Sequence, residues 1–70
     1  MTTYFTFGQD HLHEVGGICF DKDTVVRIDG ENARDKMFAL FGRKWAMQYD
    51  NNNPPAMSYY PGGIIDATNL

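Results

Sequence analysis

The feature that most constrains the fold of this chain is a single cysteine in a length of 70 residues. One cysteine cannot form an internal disulfide, so the covalent links that stabilise many small domains are excluded. A chain this short buries only about 60% of the surface that its unfolded form exposes. Its core must therefore come from dense side-chain packing, from a metal or from a subunit interface.

Composition predicts one folded, soluble domain. Hydrophobic types make up 43% and charged types 21% of the residues, which is near the ordinary globular share and argues against disorder. The longest apolar run, the five residues at 37–41, is much shorter than the roughly 20 residues of a membrane span. We expect no secretory leader and no contact with a membrane. Because a lone cysteine favours a reducing compartment, we expect a cytoplasmic protein.

Three segments have the pattern of β-strands. Residues 4–7 alternate so that both phenylalanines lie on one face. A Gly-Gly pair at 16–17 is typical of a tight turn and predicts a hairpin over 13–20. Residues 24–28 are rich in β-branched types, which predicts a further strand. Its Val26 and Ile28 are expected to face the core.

After the strand over 24–28, apolar residues recur with the spacing of a helix. Four positions fall on one stripe of a helix over 31–41, namely Ala33, Met37, Leu40 and Phe41. Phe38 lies at the margin of this stripe. Asp29 is the expected N-cap, and Gly42 is expected to end the helix in a left-handed conformation. The stripe predicts a helix that packs on one face of the sheet.

Residues 44–49 alternate again and predict a further strand. Its apolar face carries Trp45, Met47 and Tyr49. Together with the strand over 24–28 and the helix, this strand forms a βαβ-like unit. Three asparagines and two prolines within 50–55 then end the regular structure. Together these elements predict an α+β fold with a small three- to four-stranded sheet and one amphipathic helix on one face.

The C-terminal segment is predicted to be an arm. The α+β domain covers 1–53, and an irregular arm over 54–70 packs on this domain or on a neighbouring subunit. The arm carries residue types that are favoured at protein interfaces, namely Met57, Tyr59 and Tyr60. One helix cannot cover both faces of a sheet in a chain whose residues are 14% aromatic, so we expect a homo-oligomer, most simply a dimer.

Asp10, His11 and His13 form the densest group of candidate metal ligands. Two histidines two positions apart lie on the same side of an extended strand. A zinc site needs three or four protein ligands, and no further residue completes a known spacing, so a polar loop without metal is the expectation. Since no nucleophile and base stand out, we expect no enzymatic activity and no cofactor. Cys19, between two apolar residues, is expected to fill the core.

Arg43, Lys44 and Trp45 combine positive charge with a stacking ring. Single strands and nucleotides are often gripped in this way. The chain has a net charge of -3 and a sequence pI near 5.0, which excludes an extended surface for duplex nucleic acid. A pocket for one nucleotide or another small anion remains, with Tyr4, His11 or His13 as further lining residues. The alternative is a basic helix end followed by a core strand.

Two stretches resemble segments of small bacteriophage-encoded proteins of unassigned activity. They read Tyr-Phe-Thr-Phe-Gly-Gln-Asp-His at 4–11 and Phe-Gly-Arg-Lys-Trp-Ala-Met-Gln-Tyr-Asp at 41–50. The resemblance implies a phage accessory protein acting in the bacterial cytoplasm, where it binds and inhibits a host protein, such as a defence component. The second hypothesis is an oligomeric protein that sequesters a small ligand or nucleotide. A metal-dependent enzyme is the weakest of the three.

Overall fold

A computed structural model describes residues 1–8, 12–43 and 45–70 of the chain. Within them lie six strands, one α-helix and one turn of 3-10 helix at Met57–Tyr59. The helix, α1, spans Ala33–Phe41. The strands are β1 (Thr2–Thr6), β2 (His13–Val15), β3 (Ile18–Phe20), β4 (Thr24–Asp29), β5 (Met47–Asp50) and β6 (Gly63–Asp66). The predicted α+β class is confirmed.

Four of these strands form the main sheet, in the order β5-β1-β4-β6. β1 is antiparallel to both β4 and β5, whereas β4 and β6 are parallel. β4 and β5 therefore run in the same direction with β1 between them. The predicted βαβ-like unit is present in this split form, because the N-terminal strand occupies the position between its two strands.

The core lies between α1 and one face of this sheet. Phe5, Val26 and Ile28 have almost no exposed surface and contribute the sheet side. Ala33, Met37 and Phe41 are buried from the helix side, as the apolar stripe predicted. Three phenylalanines extend this core, with the ring of Phe41 5.1 Å from that of Phe7 and 5.0 Å from that of Phe20. Edge-to-face contacts of this kind add to the stabilisation from buried area.

The β2–β3 hairpin closes one end of the core. Its two turn glycines have φ angles of 61° and 79°, a region that glycine enters without steric cost, so the predicted hairpin is confirmed. Phe20 is fully buried, whereas Cys19, paired with Glu14 on the other side of the ribbon, is exposed. The prediction that Cys19 fills the core is therefore wrong, because strand alternation turns it away from the neighbouring Phe20.

The helix begins later than predicted. Its N-cap is Asn32, with φ 62° and no side-chain capping hydrogen bond, and not Asp29, which is the last residue of β4. The Asp29 carboxylate instead accepts a hydrogen bond from the Thr2 hydroxyl and pairs with Arg27 at 2.8 Å. At the other end Gly42 has φ 64°, and its N–H donates to the Phe38 carbonyl. The predicted positive φ at the C-terminal glycine is confirmed.

Trp45 does not share a face with Met47 and Tyr49, which corrects the predicted strand over 44–49. β5 begins at Met47. Met47 pairs with Thr6 and Tyr49 with Tyr4, so both lie on the outer face of the sheet, opposite the helix. Trp45 instead contacts Phe5 on the helix side. The two residues before β5 are outside the strand geometry, and alternation therefore does not extend through them.

The C-terminal segment joins the sheet and covers part of its outer face. Apart from the 3-10 turn, 54–62 is irregular, as predicted, but β6 adds an edge strand and Ala67 is fully buried. On the outer face Val25 is fully buried and Thr6 nearly so. Hydrogen bonding to Tyr60 and burial raise the pKa of the Tyr49 hydroxyl above its ordinary value. The arm is held to the sheet by the Gly62 N–H, which donates to the Asp23 carbonyl at 2.8 Å.

The exposed part of the arm leads to a test of the predicted dimer. The Tyr59 side chain is 76% exposed, and Met57 and Ile64 are also exposed. If these residues form a subunit interface, the melting temperature will rise with protein concentration. Tyr59→Ala should then abolish this dependence while leaving the melting temperature of the dilute protein unchanged. A melting temperature independent of concentration, with a monomeric mass in light scattering at about 100 μM, where micromolar dimers would be populated, would contradict the dimer.

Candidate functional site

An open cleft of about 570 Å³ lies beside the C-terminal part of the helix. Its lining residues, which define the arginine–tryptophan cleft, are Arg34, Phe38, Arg43, Trp45 and Ala46. The first two project from α1, where residues four positions apart lie on the same face. The other three belong to the link between α1 and β5. The cleft therefore forms where the helix ends and the chain returns to the sheet.

The aromatic floor of the cleft is held by the core. The Trp45 ring meets the buried Phe5 ring edge-to-face at 5.1 Å and lies 5.4 Å from the Phe38 ring. The adjacent Ala46 N–H donates to the Thr6 carbonyl at 2.8 Å. These contacts fix the indole from the sheet side, from the helix side and through the backbone. The floor is thus positioned before any ligand binds.

Arg34 lies above this floor. Its guanidinium carbon is 5.6 Å from the centroid of the Phe38 ring and 5.6 Å from that of the Trp45 ring. A cation at this distance from an aromatic face is attracted by the ring quadrupole, by about 0.5–2 kcal/mol. The guanidinium therefore carries its charge into the cleft.

The charges of the cleft are uncompensated within the described residues. Lys22 pairs with Asp23 at 3.0 Å, and Arg27 pairs with two aspartates. Lys36 donates to the Thr68 carbonyl. Across 1–8, 12–43 and 45–70, neither Arg34 nor Arg43 has a carboxylate partner. In a chain with nine acidic and six basic residues, two unpaired arginines at one cleft are a local positive surface.

Trp45 adds an unused hydrogen-bond donor. Its Nε1 is buried and has no hydrogen-bond partner among the described residues. A buried donor without a partner costs about 1–3 kcal/mol, and an acceptor atom from a ligand would remove that cost. Because Nε1 is out of contact with solvent, an acceptor reaches it only if the side chains around it move.

The structure brings together some of the predicted site residues and separates others. Arg43 and Trp45 line the cleft, as the anion-pocket hypothesis predicted. Tyr4 pairs with Arg27 and Tyr49 on the outer face of the sheet and is therefore remote from the cleft. Lys44, His11 and Asp10 lie outside the described residues.

His13 belongs to the core and not to the cleft. It begins β2, where its ring lies 5.2 Å from that of Phe7 and 5.5 Å from that of Phe41.

Within the described part of the chain, no group of three side chains from His, Cys, Asp and Glu is placed to hold a metal ion. None of the described helices has the length and apolar character needed to span a membrane.

Arg34 and Phe38 are the cleft residues that sequence reasoning missed. The helical spacing places Phe38 at the margin of the apolar stripe, and it does not indicate that Arg34 belongs to a binding site. A cationic residue four positions before an aromatic residue at the margin of an apolar stripe is a signal for a cation–aromatic pair, since the two side chains are neighbours on a helix. Their approach to Trp45 depends on tertiary packing and has no counterpart in the local sequence.

Comparison of this chain with protein-family models, with curated proteins and with solved structures gives no match. The similarity to phage proteins therefore stays a prediction. The chemistry of the arginine–tryptophan cleft is the basis for assigning a function.

Proposed function

We propose that this protein is a noncatalytic binding protein that holds a small anionic ligand in the arginine–tryptophan cleft. The observation that carries the proposal is the pair of arginines, Arg34 and Arg43, that line one cleft without a carboxylate partner in the described residues. Guanidinium groups present a rigid fork of donors that matches carboxylate and phosphate oxygens. Among residues 1–8, 12–43 and 45–70, Arg43 has no hydrogen bond, ion pair or ring contact, so its donors are available to a ligand.

The size and charge of the cleft favour a small ligand over a polymer. Two unpaired cations can neutralise one or two phosphates, whereas duplex binding relies on many phosphate contacts. The remaining surface of a chain with net charge -3 repels an extended polyanion. The volume of about 570 Å³ is within the range of small-molecule sites, roughly 300–1,000 Å³.

Isothermal titration calorimetry with inorganic phosphate and pyrophosphate tests the proposal. Arg43→Gln should weaken the binding of both anions about tenfold or more, because a hydrogen bond to a charged group contributes about 1.5–3 kcal/mol. The affinity of the unchanged protein should also fall as salt is raised, since the cleft is open to solvent.

Lys22→Gln is the matched control for this experiment. It removes the same charge as Arg43→Gln, but from an exposed pair in the turn before β4. It should change the affinity less than about twofold if long-range charge is screened. Equal effects of the two substitutions, or no heat of binding with either anion, would overturn the proposed function.

Inhibition of a host protein, the first hypothesis from the sequence, stays a prediction. Exposed Met57, Tyr59 and Ile64 provide the surface that a protein partner would contact. Aromatic and methionine side chains are enriched at such surfaces. The two functions differ in a direct way, because substitutions in the arm would impair partner binding and leave anion binding in the cleft unchanged.

A further inference from the structure

The arginine–tryptophan cleft contains a stacking surface as well as charge. The Phe38 and Trp45 ring centroids are 5.4 Å apart with 59° between the planes. This separation is that of rings in direct contact, about 4.5–7 Å, so no third ring fits between them. The Arg34 guanidinium lies over both rings. A ligand therefore meets a planar cation backed by two aromatic rings.

The two arginines are suited to different parts of a ligand. Both ring centroids are 5.6 Å from the Arg34 guanidinium carbon and 5.4 Å from each other, so the two rings lie on the same side of it. The exposed side away from the rings is left for a planar group of a ligand. Arg43 has no ring contact in the part of the chain that the structure describes and is available for in-plane, bidentate hydrogen bonds to an oxyanion. A ligand that used both would need a flat aromatic part and an anionic part joined by a short linker.

We infer that the ligand is a nucleotide whose base stacks on the Arg34 guanidinium and whose phosphate binds Arg43. This inference rests on the proposed function, since it names the class of anion that the cleft takes. A nucleobase is planar, and its stacking on aromatic or guanidinium planes strengthens binding by about 5- to 150-fold. The sugar joins the base to the phosphate, so one ligand can reach both arginines that line the cleft.

The experiment compares a nucleoside monophosphate with ribose 5-phosphate, which lacks the base. Calorimetry on the unchanged protein should show the nucleotide binding about tenfold or more tightly, within the range expected for one stacked base. The same measurement with each of the four common bases shows which stacks best. The intrinsic fluorescence of Trp45, the one tryptophan in the chain, provides a second readout of stacking beside the indole.

Arg34→Lys separates stacking from charge. Lysine keeps the positive charge but has no planar group, so the preference for the nucleotide should fall below about threefold while ribose 5-phosphate still binds. Phe38→Leu, which removes one backing ring, should lower the preference in the same direction. Arg43→Lys is the control, because it should weaken both ligands together and leave their ratio unchanged.

The outcomes distinguish this inference from the proposed function. If ribose 5-phosphate binds as tightly as the nucleotide, the base does not stack, and the inference is wrong while anion binding stands. If Arg34→Lys and Phe38→Leu both keep the full preference, the base lies elsewhere and the inference is likewise overturned. If none of the phosphate compounds binds the folded protein, the proposed function itself fails.

Discussion

Replacing Phe41 with alanine is expected to lower the free energy of unfolding by about 3–5 kcal/mol. Phe41 is 5% exposed, and its ring contacts Phe7, Phe20 and His13. It therefore joins the helix, the segment directly after β1 and the hairpin in one cluster. Small domains have only about 5–15 kcal/mol of stability, so the substitution should remove a large part of it. Chemical denaturation followed by circular dichroism measures the change.

Ala39→Gln is the appropriate control for Phe41→Ala. Ala39 is exposed on the same helix, and both residue types favour helix, so the change should be less than about 0.5 kcal/mol. Lys36, on the polar side of the helical pattern, is less suitable because its ammonium donates to the Thr68 carbonyl near the C-terminus. Coincident unfolding curves for Phe41→Ala and the unchanged protein would contradict the assigned core.

Gly62→Ala is the second substitution with a large expected effect, at about 1–3 kcal/mol of destabilisation. A Cβ at Gly62 would lie 2.7 Å from the Asp23 carbonyl oxygen and 2.8 Å from Cγ2 of Thr24. The first atom belongs to the turn that leads into β4 and the second to the first residue of β4. The Gly62 N–H donates to the same Asp23 carbonyl at 2.8 Å. The added methyl must therefore push the arm away from the sheet.

Denaturant midpoints measure this effect, with Ser58→Ala as the control in the same arm. Ser58 is exposed, so its substitution should leave the midpoint within about 0.5 kcal/mol of the unchanged value. Hydrogen exchange of the β6 amides should also accelerate in Gly62→Ala, because β6 follows directly after the displaced residue. An unchanged midpoint together with unchanged exchange would mean that the arm does not pack on this turn.

Elements with a strong local signal could be predicted from the sequence. The Gly16–Gly17 turn requires positive φ at both positions, and few residue pairs other than two glycines allow it. The β-branched run of β4 and the stripe of α1 follow from the periods of strand and helix. In each case the residues that specify the element lie inside it, so no distant contact is needed to recognise it.

The remaining features depend on contacts between distant segments. β6 is a strand of four residues that begins at Gly63 and follows Pro61 and Gly62, and its parallel partner β4 is far away in the sequence. Propensity alone gives such a segment little preference. Gly62 lies in the turn before β6, but its φ is outside the left-handed region, and the close approach of the Asp23 backbone is what requires glycine there.

The candidate site divides in the same way. Arg43 and Trp45 are close in sequence and could be recognised as a cationic and aromatic pair. Arg34 joins them through the packing of the helix against the link to β5. The unpaired state of both arginines follows from where the carboxylates of the described residues lie. The sequence alone gives the net charge of the chain and does not show where the carboxylates lie relative to the two arginines.

Nuclear magnetic resonance of the side-chain N–H groups tests the cleft most directly. The chain has one tryptophan, so a single indole Nε1–H signal reports on the floor of the cleft. Titration with a nucleoside monophosphate to about 10 mM, tenfold above a dissociation constant of about 1 mM, should shift this signal and the Nε–H signals of Arg34 and Arg43. Backbone signals of the Lys22–Asp23 turn should stay unchanged. If the chemical shifts of the indole and arginine signals do not change across the titration, or if signals throughout the protein shift equally, the ligand site in the arginine–tryptophan cleft is contradicted.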